Sequence, residues 1–125
     1  MTALTTYAPL IARILIGLLF LVAGAGKLGD PAGFAGYLTS GGLPAFLALP
    51  TIVFEIAVGL ALIAGFQTRI VALATAAFCI VAAVLYHFNP ADQLQMTMFL
   101  KNFAIAGGLI LLAAHGAGRY AIDKA

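Results

Sequence analysis

The stretch that decides the fold runs from Pro44 to Phe66 and reads PAFLALPTIVFEIAVGLALIAGF. An α-helix needs about 20 apolar residues to cross the hydrocarbon core of a bilayer, and this stretch supplies them. It carries one charge, Glu55, which lies roughly 15 Å from either end at the helical rise. A carboxylate at that depth costs at least ~2.5 kcal/mol, so it must face the interior of a helix bundle and find a partner, a proton or a ligand.

The composition of the whole chain is that of an integral membrane protein. Of its 125 residues 64% are hydrophobic and 8% are charged, whereas a soluble domain has about 25% charged residues. The length accommodates four membrane helices and no separate soluble catalytic domain. A net charge of +2 argues against a nucleic-acid partner. The single cysteine, Cys79, excludes an internal disulfide and a thiolate metal cluster, and we interpret it as a packing residue.

Proline and glycine positions set the predicted helix ends. Pro9 suits a first helical turn and Gly26 an exit, and Pro50 should bend the second helix or loosen its first turn. We predict one domain, residues 1–125, with membrane helices at 9–26, 44–66, 69–87 and 96–115. The fold class is therefore all-α: an integral membrane antiparallel four-helix bundle with short interfacial helices in its outer loops.

The loop after the first helix contains structure of its own. Asp30-Pro31 is an N-cap followed by proline at the first helical position. Phe34, Tyr37 and Leu38 then recur at helical spacing. This pattern predicts a short amphipathic helix in the membrane interface. Asn89-Pro90 repeats this pattern of an N-cap residue followed by proline before the last membrane helix.

The distribution of lysine and arginine predicts the orientation. One side of the membrane would hold four cationic residues and the other side two. The first set is Arg13, Arg69, Arg119 and Lys124, and the second is Lys27 and Lys101. The positive-inside rule then places both termini in the cytoplasm.

Arg13 is one candidate partner for Glu55. By helical rise the two residues differ in depth by about the length of one arginine side chain. A buried ion pair between the first two helices is therefore expected, with Lys27 as the other candidate cation. Such a pair would either fix the helix register only, or leave Glu55 to carry a proton or to accept a hydrogen bond from a bound headgroup.

A second group of polar residues lies at the opposite end of the predicted bundle. Lys27 ends the first helix, His87 ends the third, and Lys101 with Asn102 begins the fourth. The lysines could simply extend to the interface. With phenylalanines around them, these residues also fit a quinone, which needs hydrogen-bond donors, a titratable group and an apolar wall. The candidate ligand residues are Glu55, Arg13, Lys27, His87, Lys101 and Asn102.

Haem and metal ions are not expected. His87 and His115 fall at opposite ends of the bundle, about 25–30 Å apart across the bilayer, so they cannot both ligate one haem. The sequence shows no metal-ligand spacing, no phosphate-binding glycine loop and no nucleophile motif.

The chain contains several spaced motifs: Arg13-x-x-x-Gly17-x-x-Phe20-x-x-x-Gly24-x-x-Lys27, Glu55-x-x-x-Gly59, Gly65-x-x-Thr68-Arg69, and Gly116-x-Gly118-Arg119-Tyr120-x-x-Asp123. In their order and spacing they resemble the DoxX family of small membrane proteins. The resemblance implies a bacterial inner-membrane four-helix protein, with relatives described as subunits of thiosulfate:quinone oxidoreductase or of complexes that handle thiol or oxidative stress. It also marks Arg13, Lys27, Glu55 and Arg69 as signature positions.

Three functional hypotheses follow. The first is a small inner-membrane subunit of an oxidoreductase system that binds quinone within the bundle and receives electrons from a partner subunit. The second is a non-enzymatic scaffold or lipid-binding module whose buried charges are structural. The third is proton or solute transport with Glu55 as carrier, which would need a dimer because no inverted repeat is evident. Membrane lipid, oxidoreductase subunits and a second copy of the chain are the expected partners.

Overall fold

The computed structural model describes residues 2–123 and is all-α, with no strand among those residues. Its five α-helices are α1 (Ala3–Leu28), α2 (Pro31–Ser40), α3 (Ala48–Ala64), α4 (Thr68–Ala82) and α5 (Gln93–His115). A 3₁₀ turn (Ala45–Leu47) precedes α3, and a π-helical segment (Ala83–His87) continues α4. With these two extensions, four helices are long and apolar enough to cross a membrane. The predicted fold class is confirmed.

The first membrane helix is longer than predicted at its N-terminal end. It starts at Ala3 because the Thr2 side chain accepts a hydrogen bond from the amide of Thr5 and caps the helix. Pro9 was predicted in the first turn but lies inside α1, where it is buried. Pro9 packs so closely against Gly118 that a Cβ on that glycine would lie 2.8 Å from the proline Cβ.

Glycines on facing surfaces bring α1 and α3 into close antiparallel contact. A Cβ on Gly59 would lie 2.7 Å from the backbone nitrogen of Leu21 and 2.8 Å from the carbonyl oxygen of Gly17. Close approach of this kind is how membrane helices associate, since lipid gives them no hydrophobic driving force. The α1–α3 and α4–α5 pairs form the largest helix contacts, and α3 and α4 touch each other less extensively despite their short connection.

The core lies where the two helix pairs meet. Leu62, Ala72, Leu109 and Cys79 are buried there, and Phe20 packs its ring edge against Phe78. Cys79 is a buried free thiol, which agrees with its interpretation as a packing residue.

The last membrane helix also starts earlier than predicted. Asp92, and not Asn89, provides the cap: its carboxylate accepts hydrogen bonds from the amides of Leu94 and Gln95. The polar stretch before Met96 is therefore the first turn of α5, and Lys101 lies more than two turns into the helix. The predicted short helix after the first membrane helix is confirmed as α2, with Asp30 as N-cap and Pro31 at the first position; its place in the membrane interface stays a prediction.

Both ends of the described chain lie at the same end of the bundle. The C-terminal segment returns to the α3–α4 connection, where the amides of Ile122 and Asp123 donate to the carbonyls of Ala64 and Gly65. Gly65 ends α3 in the left-handed conformation at φ 75°, which glycine adopts without strain. Lys124, one of the cations used to predict orientation, lies outside the described residues.

Candidate ligand pocket

Arg13 does not pair with Glu55, so that predicted ion pair is wrong. The Arg13 side chain is fully buried and donates hydrogen bonds to the carbonyls of Leu62 (3.3 Å), Ile63 (3.0 Å) and Tyr120. The last carbonyls of a helix have no partner within it and carry the negative end of the helix dipole. Arg13 therefore closes the C-terminus of α3, far along the bundle from Glu55.

The partner of Glu55 is Lys27, the alternative that the sequence left open. The lysine Nζ lies 3.0 Å from Oε1 and 3.1 Å from Oε2 of the glutamate. Gly24 explains the choice, because it brings α1 against α3 beside Glu55: a Cβ there would lie 3.2 Å from the Glu55 Cβ. Lys27 is one turn further along the same helix face, so its side chain reaches the carboxylate.

The two members of this pair differ in exposure. The Glu55 side chain is 5% exposed and that of Lys27 is 29% exposed. The lysine ammonium also lies 5.3 Å from the centre of the Phe34 ring in α2. The carboxylate is thus the deeply buried member, and the lysine covers it on the side of α2.

A cavity of about 280 Å³ opens beside this ion pair. Its walls come from α1, α2, α3, α4 with its π-helical extension, and α5. The structure brings five of the six predicted ligand residues to this cavity: Lys27, Glu55, His87, Lys101 and Asn102. The sixth, Arg13, is not among the lining residues, because it is held at the other end of α3.

Most of the remaining cavity wall is apolar. Phe20, Phe78 and Ile105 line the deep part of the cavity. Leu19 and Leu85 also line it and are exposed on the outer surface of the bundle. Since these two residues belong to membrane-spanning helices, they would contact acyl chains, and the cavity is accessible from the hydrocarbon side.

The π-helical segment places two aromatic groups at the cavity. Tyr86 donates its hydroxyl to the carbonyl of Leu38 at 2.7 Å, and its ring stacks on Tyr37 with centroids 4.9 Å apart. Gly41 packs directly against the Tyr86 ring, where a Cβ would collide with it. Burial and the neighbouring Tyr86 raise the pKa of Tyr37 above its ordinary value. Single π-helical turns often occur at functional sites.

His87 lies in the same segment and is oriented by the start of α5. Its Nδ1 is 2.8 Å from Oε1 of Gln95. An amide oxygen only accepts hydrogen bonds, so Nδ1 donates this bond, and Nε2 bonds to no other side chain or backbone group within residues 2–123. Tyr86, Thr51 and Cys79 also line the cavity and were missed by sequence analysis. Cys79 in α4 and Tyr86 in its π-helical extension are seven residues apart, and this helical spacing is the signal that could have placed both on the cavity side.

The opposite end of the bundle is closed by two further side-chain caps. Arg69, at the start of α4, donates to the carbonyls of Ala113 (2.8 Å), Ala114 (2.6 Å) and His115 (3.2 Å) at the end of α5. Asp123 accepts from the amides of Gln67 (2.7 Å) and Thr68 (2.8 Å) at the start of α4. The signature residues Arg13 and Arg69 thus both cap helix C-termini.

The two ends of the bundle therefore differ in kind. At the end near residues 2 and 123, two arginines and Asp123 bond to backbone groups; at the α2 end, charged side chains line the cavity beside the ion pair. His87 and His115 lie at opposite ends, as predicted, with His115 at the end of α5. Within residues 2–123 no group of three or more potential metal ligands is present. The absence of haem and metal stays a prediction.

The comparisons with known proteins establish the family. The sequence model of the DoxX family matches residues 8–88. This chain belongs to the DoxX family. It is 43% identical over 124 residues to the inner membrane protein YqjF of Escherichia coli (strain K12), covering 99% of this chain and 95% of that protein. It is 32% identical over 122 residues to the inner membrane protein YphA of the same organism, covering 92% and 87%. No solved structure matches.

The family match includes the residues that build the pocket from α1 to His87. The signature residues of this DoxX chain inside the matched region are Arg13, Lys27, Glu55 and Arg69. The C-terminal segment Gly116–Asp123, on which the resemblance was also argued, lies outside the matched residues, as do Lys101 and Asn102. The family assignment therefore rests on α1 to α4.

Proposed function

We propose that this DoxX protein is an inner-membrane subunit of an oxidoreductase system and that it binds a quinone in the cavity beside Lys27 and Glu55. The observation that carries the proposal is the combination in one cavity of an apolar wall open to the bilayer with five polar side chains from four elements. The inner-membrane location is supported by the names of both relatives. The electron donor would be a partner subunit.

The chemistry of the lining fits a quinone. Bound quinone supplies two-electron, two-proton redox chemistry, and its carbonyl oxygens need hydrogen-bond donors. The ammonium of Lys101 and the amide of Asn102 are donors of that kind. Neither side chain forms a hydrogen bond or ion pair within residues 2–123. The ring and tail need an apolar surface, which Phe20, Phe78 and the exposed Leu19 and Leu85 offer.

Proton exchange at the site would fall to Glu55 and His87. The Glu55 carboxylate would take up the proton: the buried group then becomes neutral, and the charge that remains is that of Lys27, whose side chain is 29% exposed. Loss of that proton restores the ion pair. His87 has its Nδ1 engaged by Gln95, which leaves Nε2 to meet a bound ligand. The volume of about 280 Å³ lies just below the usual range of ligand cavities, ~300–1,000 Å³. It therefore fits a ring headgroup better than a whole lipid.

Quinone binding by the purified protein tests the proposal. Protein purified in mild detergent is extracted with organic solvent, and the quinone-to-protein ratio is measured by chromatography. We expect a stoichiometric quinone in the wild type, and its loss in Glu55→Gln or Lys101→Gln. Asp30→Asn is the matched control, because it also removes one carboxylate near the same end while asparagine remains an equally good N-cap.

Labelling of Cys79 provides a second, independent measurement. Cys79 is the only cysteine in the chain and lines the cavity, so added quinone should slow its reaction with a small maleimide. Absence of copurified quinone together with unprotected Cys79 would refute the quinone assignment.

The Lys27–Glu55 pair favours a second candidate function. Its two members satisfy each other at 3.0 Å, which is what a purely structural pair in a scaffold or lipid-binding module requires. Under that hypothesis Glu55→Gln lowers thermal stability and complex formation, and cells that carry it show no altered sensitivity to oxidative or thiol stress. A changed stress response with unchanged protein level would favour the oxidoreductase role instead.

A further inference from the structure

A larger cavity, about 830 Å³, lies at the other end of the bundle. Its wall is formed by three segments that are distant in sequence: Thr5 and Thr6 at the start of α1, Gln67 to Ile70 at the start of α4, and His115 to Arg119 after α5. It shares no residue with the cavity beside Glu55.

The side chains of this second cavity carry a positive balance of charge. Two arginines, Arg69 and Arg119, line it together with His115, against a single carboxylate, Asp123. That carboxylate caps the start of α4, where it accepts hydrogen bonds from the amides of Gln67 and Thr68, and the two arginines outnumber it. The partners of Arg69 are neutral carbonyl groups, so its charge is fixed in place but is not neutralised.

Arg119 is the cation that is free to meet a ligand. Within residues 2–123 its guanidinium forms neither an ion pair nor a hydrogen bond. It lies 5.9 Å from the centre of the Tyr120 ring, which holds it in place by a cation–π contact. The planar guanidinium presents paired donors that match the oxygens of a phosphate.

The depth of the cavity points to the same chemistry. It lies where α3 ends, α4 begins and α5 ends, which is the level at which membrane-spanning helices meet the lipid headgroups. Phosphate groups at a membrane surface are carried by phospholipids, of which the anionic ones have a net negative charge, or are free in solution.

We propose that this cavity is a phosphate-binding site, in which Arg119 and Arg69 bind the phosphate of an anionic phospholipid or inorganic phosphate. The site is independent of quinone binding at the other end of the bundle.

Native mass spectrometry of the full-length protein in detergent micelles tests the site. The protein is titrated with phosphatidylglycerol and, separately, with phosphatidylcholine of the same acyl chains. Calorimetric titration with inorganic phosphate at constant ionic strength, set with chloride, measures the free ion. We expect phosphatidylglycerol to bind about fivefold more tightly than phosphatidylcholine, the effect of about one cation on attraction to an anionic lipid.

The variants Arg119→Gln and Arg119→Lys separate charge from structure. Arg119 is exposed and bonds to no backbone group, so both variants should unfold at the temperature of the wild type. Arg119→Gln should abolish the preference for phosphatidylglycerol, and Arg119→Lys should keep most of it.

The outcomes distinguish the two sources of phosphate. A preference for phosphatidylglycerol that inorganic phosphate does not compete away assigns the site to lipid. Binding of inorganic phosphate that competes with the lipid, or that occurs without a lipid preference, assigns it to the free ion. The proposal is overturned if neither ligand shows Arg119-dependent binding, whatever the quinone content of the protein.

Discussion

Replacement of Lys27 by methionine removes the cation that pairs with the buried carboxylate of Glu55. The two side chains are 3.0 Å apart, and the carboxylate is 5% exposed. Removing one member of a buried pair typically costs about 3–5 kcal/mol because the other charge is left uncompensated. We expect about 3 kcal/mol for Lys27→Met, the lower end of that range, since the adjacent cavity offers Glu55 other polar neighbours.

Glu55→Gln should be milder than Lys27→Met. The Lys27 side chain is 29% exposed, so its ammonium can move toward the membrane surface when the carboxylate is gone. We expect a loss of about 1 kcal/mol for Glu55→Gln. The double variant should lose less than the sum of the two, with a coupling energy of about 1–3 kcal/mol.

The assay is the free energy of unfolding, measured by titration with a denaturing detergent and followed by circular dichroism, for the wild type and the three variants. Lys101→Met is the matched control: it removes a lysine from the same cavity but leaves no carboxylate stranded, so we expect a change within about 0.5 kcal/mol. Additive losses, or a larger loss for Glu55→Gln than for Lys27→Met, would refute the assignment of the pair and of its buried member.

Three further predictions concern packing, docking and pH. Gly59→Ala should lower the free energy of unfolding by about 1–3 kcal/mol, because its Cβ would meet backbone atoms of α1 at 2.7 Å. Gly107→Ala is the control and should leave the stability unchanged, because a Cβ there meets nothing within 4 Å. Equal effects of the two variants in thermal unfolding would contradict the helix contact. Tyr86→Phe removes the hydrogen bond to Leu38 and should speed amide hydrogen exchange of residues 31–40, by about fivefold for a bond worth ~1 kcal/mol, while exchange in α5 stays unchanged. Burial by itself would raise the pKa of Asp123, but hydrogen bonds from Thr68 and Gln67 and the charge of Arg13 lower it below 3.8. A lowered folded-state pKa means that the stabilisation is present above the unfolded pKa and is lost as pH falls below it. The stability difference between wild type and Asp123→Asn is expected to be at most about 1 kcal/mol, because Asp123 is partly exposed. This difference should be constant from about pH 7 to 5 and shrink below pH 3.8; a difference that grows on acidification would contradict the cap.

Much of the candidate site could be predicted because it follows from position along apolar helices. A polar residue in a membrane span has to face the bundle, so Glu55, Lys27, His87 and Asn102 could be assigned to its interior from the sequence. The common end of Lys27, His87 and Asn102 follows from alternating helix direction, whereas Glu55 was predicted at the middle of the membrane. The spacing of residues along each helix could not show which helices are neighbours in the bundle or which of their faces are in contact. For that reason Arg13 was assigned to a carboxylate that it does not reach.

The sequence by itself determined the membrane class, the number of helices, the interfacial helix after Asp30 and the family, because these depend on hydropathy, local capping and the order of motifs. Helix ends were less well determined: Thr2 and Asp92 extend α1 and α5 through caps that compete with other candidates nearby. Only the tertiary structure decided that Lys27 pairs with Glu55, since the pairing depends on the glycine contacts that set the register of α1 against α3. Only the tertiary structure likewise showed that Arg13 and Arg69 close helix ends, because the carbonyls they bind lie 44 to 107 residues away in the chain. A carbonyl left open at a helix end has no signature in the sequence; it becomes a binding partner when folding brings an arginine to it.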